Sequence, residues 1–144
     1  MKGLVLAFGS FDILHPGHLA YLRKARRLGK ILIVVVARDE SMRRFKGVDP
    51  VFDEKERAIM VGSLKFVDKA VIGNRLLSLK DRYKIIKKYR PEVIAFGYDQ
   101  RIDTGDLLRW LSDNGIRARI VRIRYPLRPS RYKSSKVKSA ILGT

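Results

Sequence analysis

Residues 9–18 read Gly9-Ser10-Phe11-Asp12-Ile13-Leu14-His15-Pro16-Gly17-His18. They follow Leu4 to Phe8, a short apolar run that reads as a buried strand. They lead into Leu19, Leu22, Ala25 and Leu28, apolar residues at helical spacing, with Gly29 as the stop. The segment is therefore a strand–turn–helix junction. Gly9 lets a phosphate approach the backbone, and Gly17 removes a side chain beside a ligand. Pro16 suits the first helical turn. His15 and His18, three apart at the helix start, point the same way. With the open amides of the helix end they make a pocket for negative charge. They are the only two histidines in the chain. One lone histidine would read as a structural or capping group; two at one such junction read as a site. A zinc reading lacks a third ligand at suitable spacing.

Outward from this junction the pattern alternates. Ile31 to Val36 is continuously apolar and β-branched, as in a central parallel strand covered on both faces. Asp53 and Glu56 form a capping-box pair for a helix to about Leu64. Ala70 to Ile72 reads as a short strand, Leu77 to Tyr89 as a basic amphipathic helix, and Val93 to Phe96 as another strand. Asp103 or Thr104 caps a helix through Ser112, where Asn114-Gly115 stops it. Ile116 to Ile123 alternates apolar residues with arginine, as an edge strand does. Leu127 to Ser135 reads as a polar loop and Lys136 to Leu142 as a last helix. This order predicts an α/β fold, a three-layer Rossmann-like arrangement with a parallel sheet, in one domain over 1–144. Ligands of such sheets lie beyond the carboxyl ends of the strands. Those ends carry Gly9 to Asp12, Ala37-Arg38-Asp39, Gly73-Asn74 and Gly97-Tyr98-Asp99-Gln100.

Composition narrows the classes. The 144 residues are 46% hydrophobic, enough for a core. With no cysteine, disulfides, iron–sulfur sites and cysteine-ligated zinc are excluded. No apolar run approaches the roughly 20 residues of a membrane span. The first apolar stretch is too short for a signal peptide, so a cytoplasmic protein is expected. The odd feature is charge: 32 Lys and Arg against 14 Asp and Glu, a net +18. Such a surplus suits nucleic acid, acidic lipid, phosphorylated small molecules or adaptation to heat.

The ten-residue segment resembles the HxGH signature of the nucleotidyltransferase (cytidylyltransferase-like) superfamily. Other matches run along the chain. Val36 to Glu40 and Lys46-Gly47 resemble its nucleotide- and phosphate-contacting segment, and Glu56-Arg57 its E-R pair. Residues 66–72 (Phe-Val-Asp-Lys-Ala-Val-Ile) resemble a segment often found at a dimer interface. Gly97-Tyr98-Asp99-Gln100 resembles the nucleotide-binding G-x-D stretch, and residues 132–137 the I-S-T-T-K-I motif. Within the superfamily, Val35 to Asp39 and Gly97 to Gln100 are most similar to archaeal FAD synthases. Arg38 and Gln100 depart from the pattern of glycerol-3-phosphate cytidylyltransferases.

The resemblance implies transfer of an adenylyl group from ATP to FMN, giving FAD and pyrophosphate, with Mg²⁺ bridging the phosphates and a homodimer as the assembly. It implies catalytic roles for His15, His18 and Lys46. It implies nucleotide contacts from Gly9, Ser10, Phe11, Gly17, Asp99, Arg128, Ser134 and Ser135. Asp39, Arg57 and Tyr98 would touch substrate, and Asp12 the metal. Several of these have a plainer reading: Asp12 or Asp39 as helix caps, Arg57 as a solvated charge beside Asp53 or Glu56, Ser134 and Ser135 as caps of the last helix, and Tyr98 as strand-end packing. Trp110, at helical spacing with Leu107 and Leu111, reads as core. Two rival functions stand beside this one. The first is a CTP-dependent cytidylyltransferase of a polyol phosphate such as glycerol 3-phosphate. The second is a basic nucleic-acid-binding module, suggested by ten Lys or Arg and one acidic residue from Leu107 onward. No RNP, KH or helix-turn-helix pattern supports the second as the primary role.

Overall fold

A computed structural model describes residues 3–124. Five parallel strands form one sheet: β1 (Leu4–Gly9), β2 (Ile31–Val36), β3 (Lys69–Ile72), β4 (Val93–Gly97) and β5 (Arg119–Ile123). Their order is β3-β2-β1-β4-β5. The helices are α1 (Pro16–Arg26), α2 (Asp39–Ser41), α3 (Glu54–Gly62), α4 (Tyr83–Tyr89) and α5 (Thr104–Asp113). This is the α/β Rossmann-like sheet that the alternation predicts.

The strand side chains divide by parity, as pleating requires. Val5, Ala7, Val34, Val36 and Ala95 face α1 and α3, where Tyr21, Leu22, Ala25 and Val61 complete one buried layer. Leu4, Leu6, Phe8, Ile94 and Phe96 face α4 and α5, against Ile86, Leu107 and Leu111. A strand coated on both faces can be apolar throughout, which is why β2 is Ile-Leu-Ile-Val-Val-Val.

The element limits shift for local reasons. α1 stops at Arg26, two residues before Leu28, because the chain must turn at Gly29 into β2. A Cβ on Gly29 would lie 2.5 Å from the Gly3 carbonyl oxygen. The helix expected from Leu77 begins instead as a 3-10 turn over Leu79–Arg82 and is α-helical only from Tyr83. β5 begins at Arg119 rather than Ile116, since Ile116 closes the end of α5. Trp110 is partly buried and rests on the Tyr83 ring, 5.1 Å away, at the edge of the core. The last predicted helix, Lys136 to Leu142, lies outside the described residues.

The register positions the site. β1 pairs with β2 along its whole length, from Leu4↔Ile31 to Gly9↔Val36. It pairs with β4 only from Val5↔Val93 to Ala7↔Ala95. Beyond Ala7 and Ala95 the two strands part, opening a crevice where the sheet order reverses. Two side chains bridge the gap. The Tyr21 hydroxyl donates to the Ala95 carbonyl (2.8 Å) and accepts from the Phe8 N–H (3.2 Å). Gln100 Nε2 donates to the Phe8 carbonyl (2.6 Å), and its Oε1 accepts the Gly97 N–H (2.9 Å).

Candidate active site

The turn after β1 is built around Phe11. Its φ is +53°, a left-handed conformation that disfavours side chains. Burial of the ring, 2% exposed, offsets that strain. The ring lies beneath Gly9, where an added Cβ would come within 2.5 Å of it. Gly9 is therefore required by packing as well as by any ligand. The Phe11 ring stands edge-on to His18, with centroids 5.3 Å apart.

His15 is the N-cap of α1. Its Nδ1 accepts the Gly17 N–H at 3.1 Å. A neutral His15 must then carry its proton on Nε2, so one hydrogen bond fixes the tautomer. The two imidazoles stack at 3.7 Å between centroids, 22° from parallel. Burial lowers the His15 pKa, with Asp99 opposing. His18 is pushed down to about 3, chiefly by burial and then by His15 and Lys46. Both rings are thus neutral at pH 7 and act as N–H donors rather than cations.

This has a consequence for stability. An unfolded histidine takes a proton near pH 6.5, whereas folded His18 resists it until about pH 3. The unfolded state therefore binds more protons across that window, and stability falls as pH drops below 6.5. Thermal unfolding followed from pH 7.5 to 4.5 should show a decline approaching ~1.4 kcal/mol per pH unit from this group. In His18→Gln the slope should be shallower by one proton; an unchanged slope would assign the acid lability elsewhere.

Lys46 ends a π-helical turn, Met42–Lys46, that continues α2. Gly47, at φ +64°, closes this turn. Lys46 Nζ donates to Ser10 Oγ at 2.7 Å, which sets the ammonium beside the β1 turn. Asp99 is exposed after β4, close enough to act on His15. Tyr98 lies at the same strand end with its pKa raised by burial. The structure thus brings His15, His18, Lys46, Ser10, Gly17 and Asp99 to one crevice at the strand ends. Arg128, Ser134 and Ser135 lie outside the described residues.

Two expectations, for Arg57 and Asp12, are corrected. Arg57 is 0% exposed, so its guanidinium cannot reach a substrate. It donates to Asp39 Oδ1 (2.6 Å), the Ser10 carbonyl (2.8 Å) and the Phe52 carbonyl (2.9 Å). Asp39, expected at the substrate, is this arginine's ion-pair partner and the first residue of α2, with its carboxylate still partly exposed. Asp12, expected at a metal, is 1% exposed and accepts the Val51 and Phe52 N–H groups at 2.9–3.0 Å. It fastens the segment before α3 rather than capping α1, a place His15 holds. Among the described residues no group of three His, Cys, Asp or Glu is arranged to hold a metal ion.

Two residues shape the site through contacts distant in sequence. Gln100 is the crevice bridge described above. Arg122, legible only as an edge-strand arginine, reaches from β5 to the carbonyls of Gly97 (3.0 Å) and Gln100 (2.5 Å) and fixes the loop carrying Asp99. Neither role has a local sequence signal, since each joins positions about 22 to 92 residues apart.

A family profile described as cytidylyltransferase-like matches residues 6–140. The FAD synthase of Methanohalobium evestigatum is 46% identical over 138 residues, 96% of this chain and 88% of that protein. The FAD synthase of Aciduliprofundum boonei is 45% identical over 120 residues, 83% and 77% of the two chains. A crystal structure from Thermoplasma volcanium, titled a lipopolysaccharide core biosynthesis protein, superposes with TM-score 0.78 at 40% identity, covering 86% of this chain and 98% of that one. Pantoate–β-alanine ligase of Francisella tularensis shares the fold alone, at TM-score 0.61 and 14% identity.

Proposed function

Because this chain belongs to the cytidylyltransferase-like family, we propose that it is an FMN adenylyltransferase that makes FAD. The observation that carries the reaction type is the stacked, neutral imidazole pair beside Lys46 at the strand-end crevice. The acceptor is argued from the relatives named FAD synthase.

In this reading an FMN phosphate oxygen attacks the α-phosphorus of ATP in line. A new P–O–P bond forms and the bond to pyrophosphate breaks. The attacking phosphate is already ionised, so no strong general base is needed and neutral histidines suffice. Catalysis then rests on positioning and on donors preorganised for the charge that develops. His15 Nε2–H and His18 donate to phosphate oxygens, Lys46 neutralises charge, and the Ser10 and Phe11 amides meet the α-phosphate. The chain holds these groups in place through the Gly17 cap, the Phe11 ring and the Arg57 clamp. Mg²⁺, when bound, supplies charge neutralisation on the phosphates. It typically needs only one or two carboxylates besides phosphate and water, and the exposed Asp99 would supply one. The homodimer is also part of this reading: β3, within the interface-like segment, is an edge strand of the sheet.

Incubation with Mg²⁺, ATP or CTP, and FMN or glycerol 3-phosphate, with pyrophosphate release and FAD fluorescence recorded, tests the proposal. FAD is expected only from ATP with FMN. Use of CTP with glycerol 3-phosphate would instead establish the cytidylyltransferase alternative.

A further inference from the structure

The two ends of α1 differ in chemistry. Its first turn carries the imidazoles. Its last turn carries Arg23, Lys24 and Arg26, Arg27 caps it, and the helix holds no acidic residue. Arg27 lies about 16 Å down the axis from Pro16. The apolar face of α1 is spent on the sheet through Tyr21, Leu22 and Ala25. Arg23 and Arg27 are what the helix shows fully to water. The charge continues on both sides. Arg23 lies over the Phe66 ring, 5.5 Å from its centroid, and so next to the exposed Lys65. Lys24 Nζ donates to the carbonyl of the exposed Arg124 at 2.6 Å. We propose that the face formed by Arg23, Lys24, Arg26, Arg27, Lys65 and Arg124 binds the phosphate backbone of a nucleic acid, an interaction that adenylyl transfer does not use.

The charge of this face is not cancelled. Elsewhere on the surface Arg43 pairs with Asp49, Arg75 with Glu40, Lys84 with Asp81 and Arg109 with Asp106. Here the one carboxylate in contact is Asp68. Its Oδ2 accepts the Leu32 N–H at 2.7 Å and stands 3.8 Å from Arg26 Nε. The other five cations have no ion-pair partner among the described residues. Neutral groups hold the side chains instead. Arg26 Nη1 donates to the Gly29 and Lys30 carbonyls at 3.2 and 2.6 Å, Lys24 to the Arg124 carbonyl, and Arg23 rests on a ring. A carbonyl or a ring orients a cation without removing its charge. Guanidiniums so fixed suit phosphate oxygens and lose less freedom on binding.

The surroundings select a nucleic acid among polyanions. A helix lying on a membrane inserts its apolar face, whereas that face of α1 is in the core. None of the exposed large apolar residues, Val51, Ile59, Leu77, Leu79 and Leu108, belongs to α1, to residues 65–68 or to β5. A single nucleotide offers one cluster of phosphates. Cations spread over α1, the turn before β3 and the end of β5 suit a chain that repeats its charge, as a duplex does about every 1.7 Å of axis. The one ring in this face, Phe66, is covered by Arg23, so bases find no stacking surface and binding is sequence-tolerant.

The test is fluorescence anisotropy of short labelled DNA and RNA duplexes of unrelated sequence, titrated with the full chain across a salt series. Binding should weaken with salt at a log–log slope of about −0.9 per phosphate contact on DNA, alike for all sequences. Arg23→Gln with Arg27→Gln should weaken it about tenfold or more at low salt and make the slope shallower by about two. Melting temperature and elution volume should not change. Should the pair not fold, Arg27→Gln alone decides, with a slope change of about one. Lys87→Gln with Lys88→Gln removes the same charge from exposed positions of α4 and should alter binding by less than about twofold. Saturating ATP should leave the duplex bound. Equal losses in the two pairs would make net charge the cause and overturn the proposal. Absence of binding at low salt, or displacement by ATP, would overturn it too. A loss that tracks a changed elution volume would assign the face to self-association instead. Binding to anionic lipid vesicles, abolished by the same two substitutions, would assign it to lipid.

Discussion

Replacing His18 or His15 with alanine should lower turnover at least ~100-fold, the scale of one lost transition-state donor, or about 2.7 kcal/mol. The two variants should nevertheless differ. His15 also caps α1 through the Gly17 N–H, so His15→Ala loses about 1 kcal/mol of stability as well as rate. Asparagine at this position restores a cap but cannot extend a donor as far as imidazole Nε2. His15→Asn should therefore recover the melting temperature and not the rate. His18 hydrogen-bonds the Ile13 backbone rather than a helix end, and His18→Ala should lose kcat with little change in KM, because its donor to substrate strengthens only as charge develops on phosphorus. Stopped-flow or steady-state FAD formation, paired with thermal melts, separates these cases. Wild-type turnover in both alanine variants would remove the imidazoles from the mechanism.

How much of this was legible in the residue pattern follows from the range of the interactions. The strands, the α3 capping box and the paired histidines depend on neighbours a few residues apart, and so their spacing shows them. The division of labour among the polar groups does not. Arg57 was readable as a solvated or substrate-facing charge because it follows Glu56 on a helix. Its burial is decided by Ser10 and Asp39, 47 and 18 residues away. Asp12 sits in the signature segment, yet Val51 and Phe52 occupy it. The same limit applies to the charge surplus. Arg38 binds the Gly73 carbonyl and Glu54, Arg26 the Lys30 carbonyl, and Arg122 the loop after β4. Part of the positive charge thus closes carbonyl-rich strand ends, a role that needs no nucleic acid.

The second large effect concerns Arg57. Each of its three nitrogens donates inside the protein, to two carbonyls and one carboxylate in all. Arg57→Met keeps much of the volume but strands Asp39 beside an apolar side chain and leaves the Ser10 and Phe52 carbonyls short of a donor. Removing one member of a buried pair costs about 3–5 kcal/mol, so the melting temperature should fall by roughly 10–20 °C for a chain of this size. Arg57→Lys should recover little, because an ammonium cannot reproduce the planar fork that reaches three acceptors. Arg57→Met combined with Asp39→Leu should regain part of the loss, since the stranded carboxylate is gone while both carbonyls remain unmet. Turnover should fall in every variant through the loosened Ser10 turn, which also carries the Lys46 contact. A substrate-binding arginine behaves differently: Arg57→Met would then raise a KM and leave the melting temperature unchanged. Melting and KM measured on the same protein distinguish the two, and the complete burial of the guanidinium requires the first.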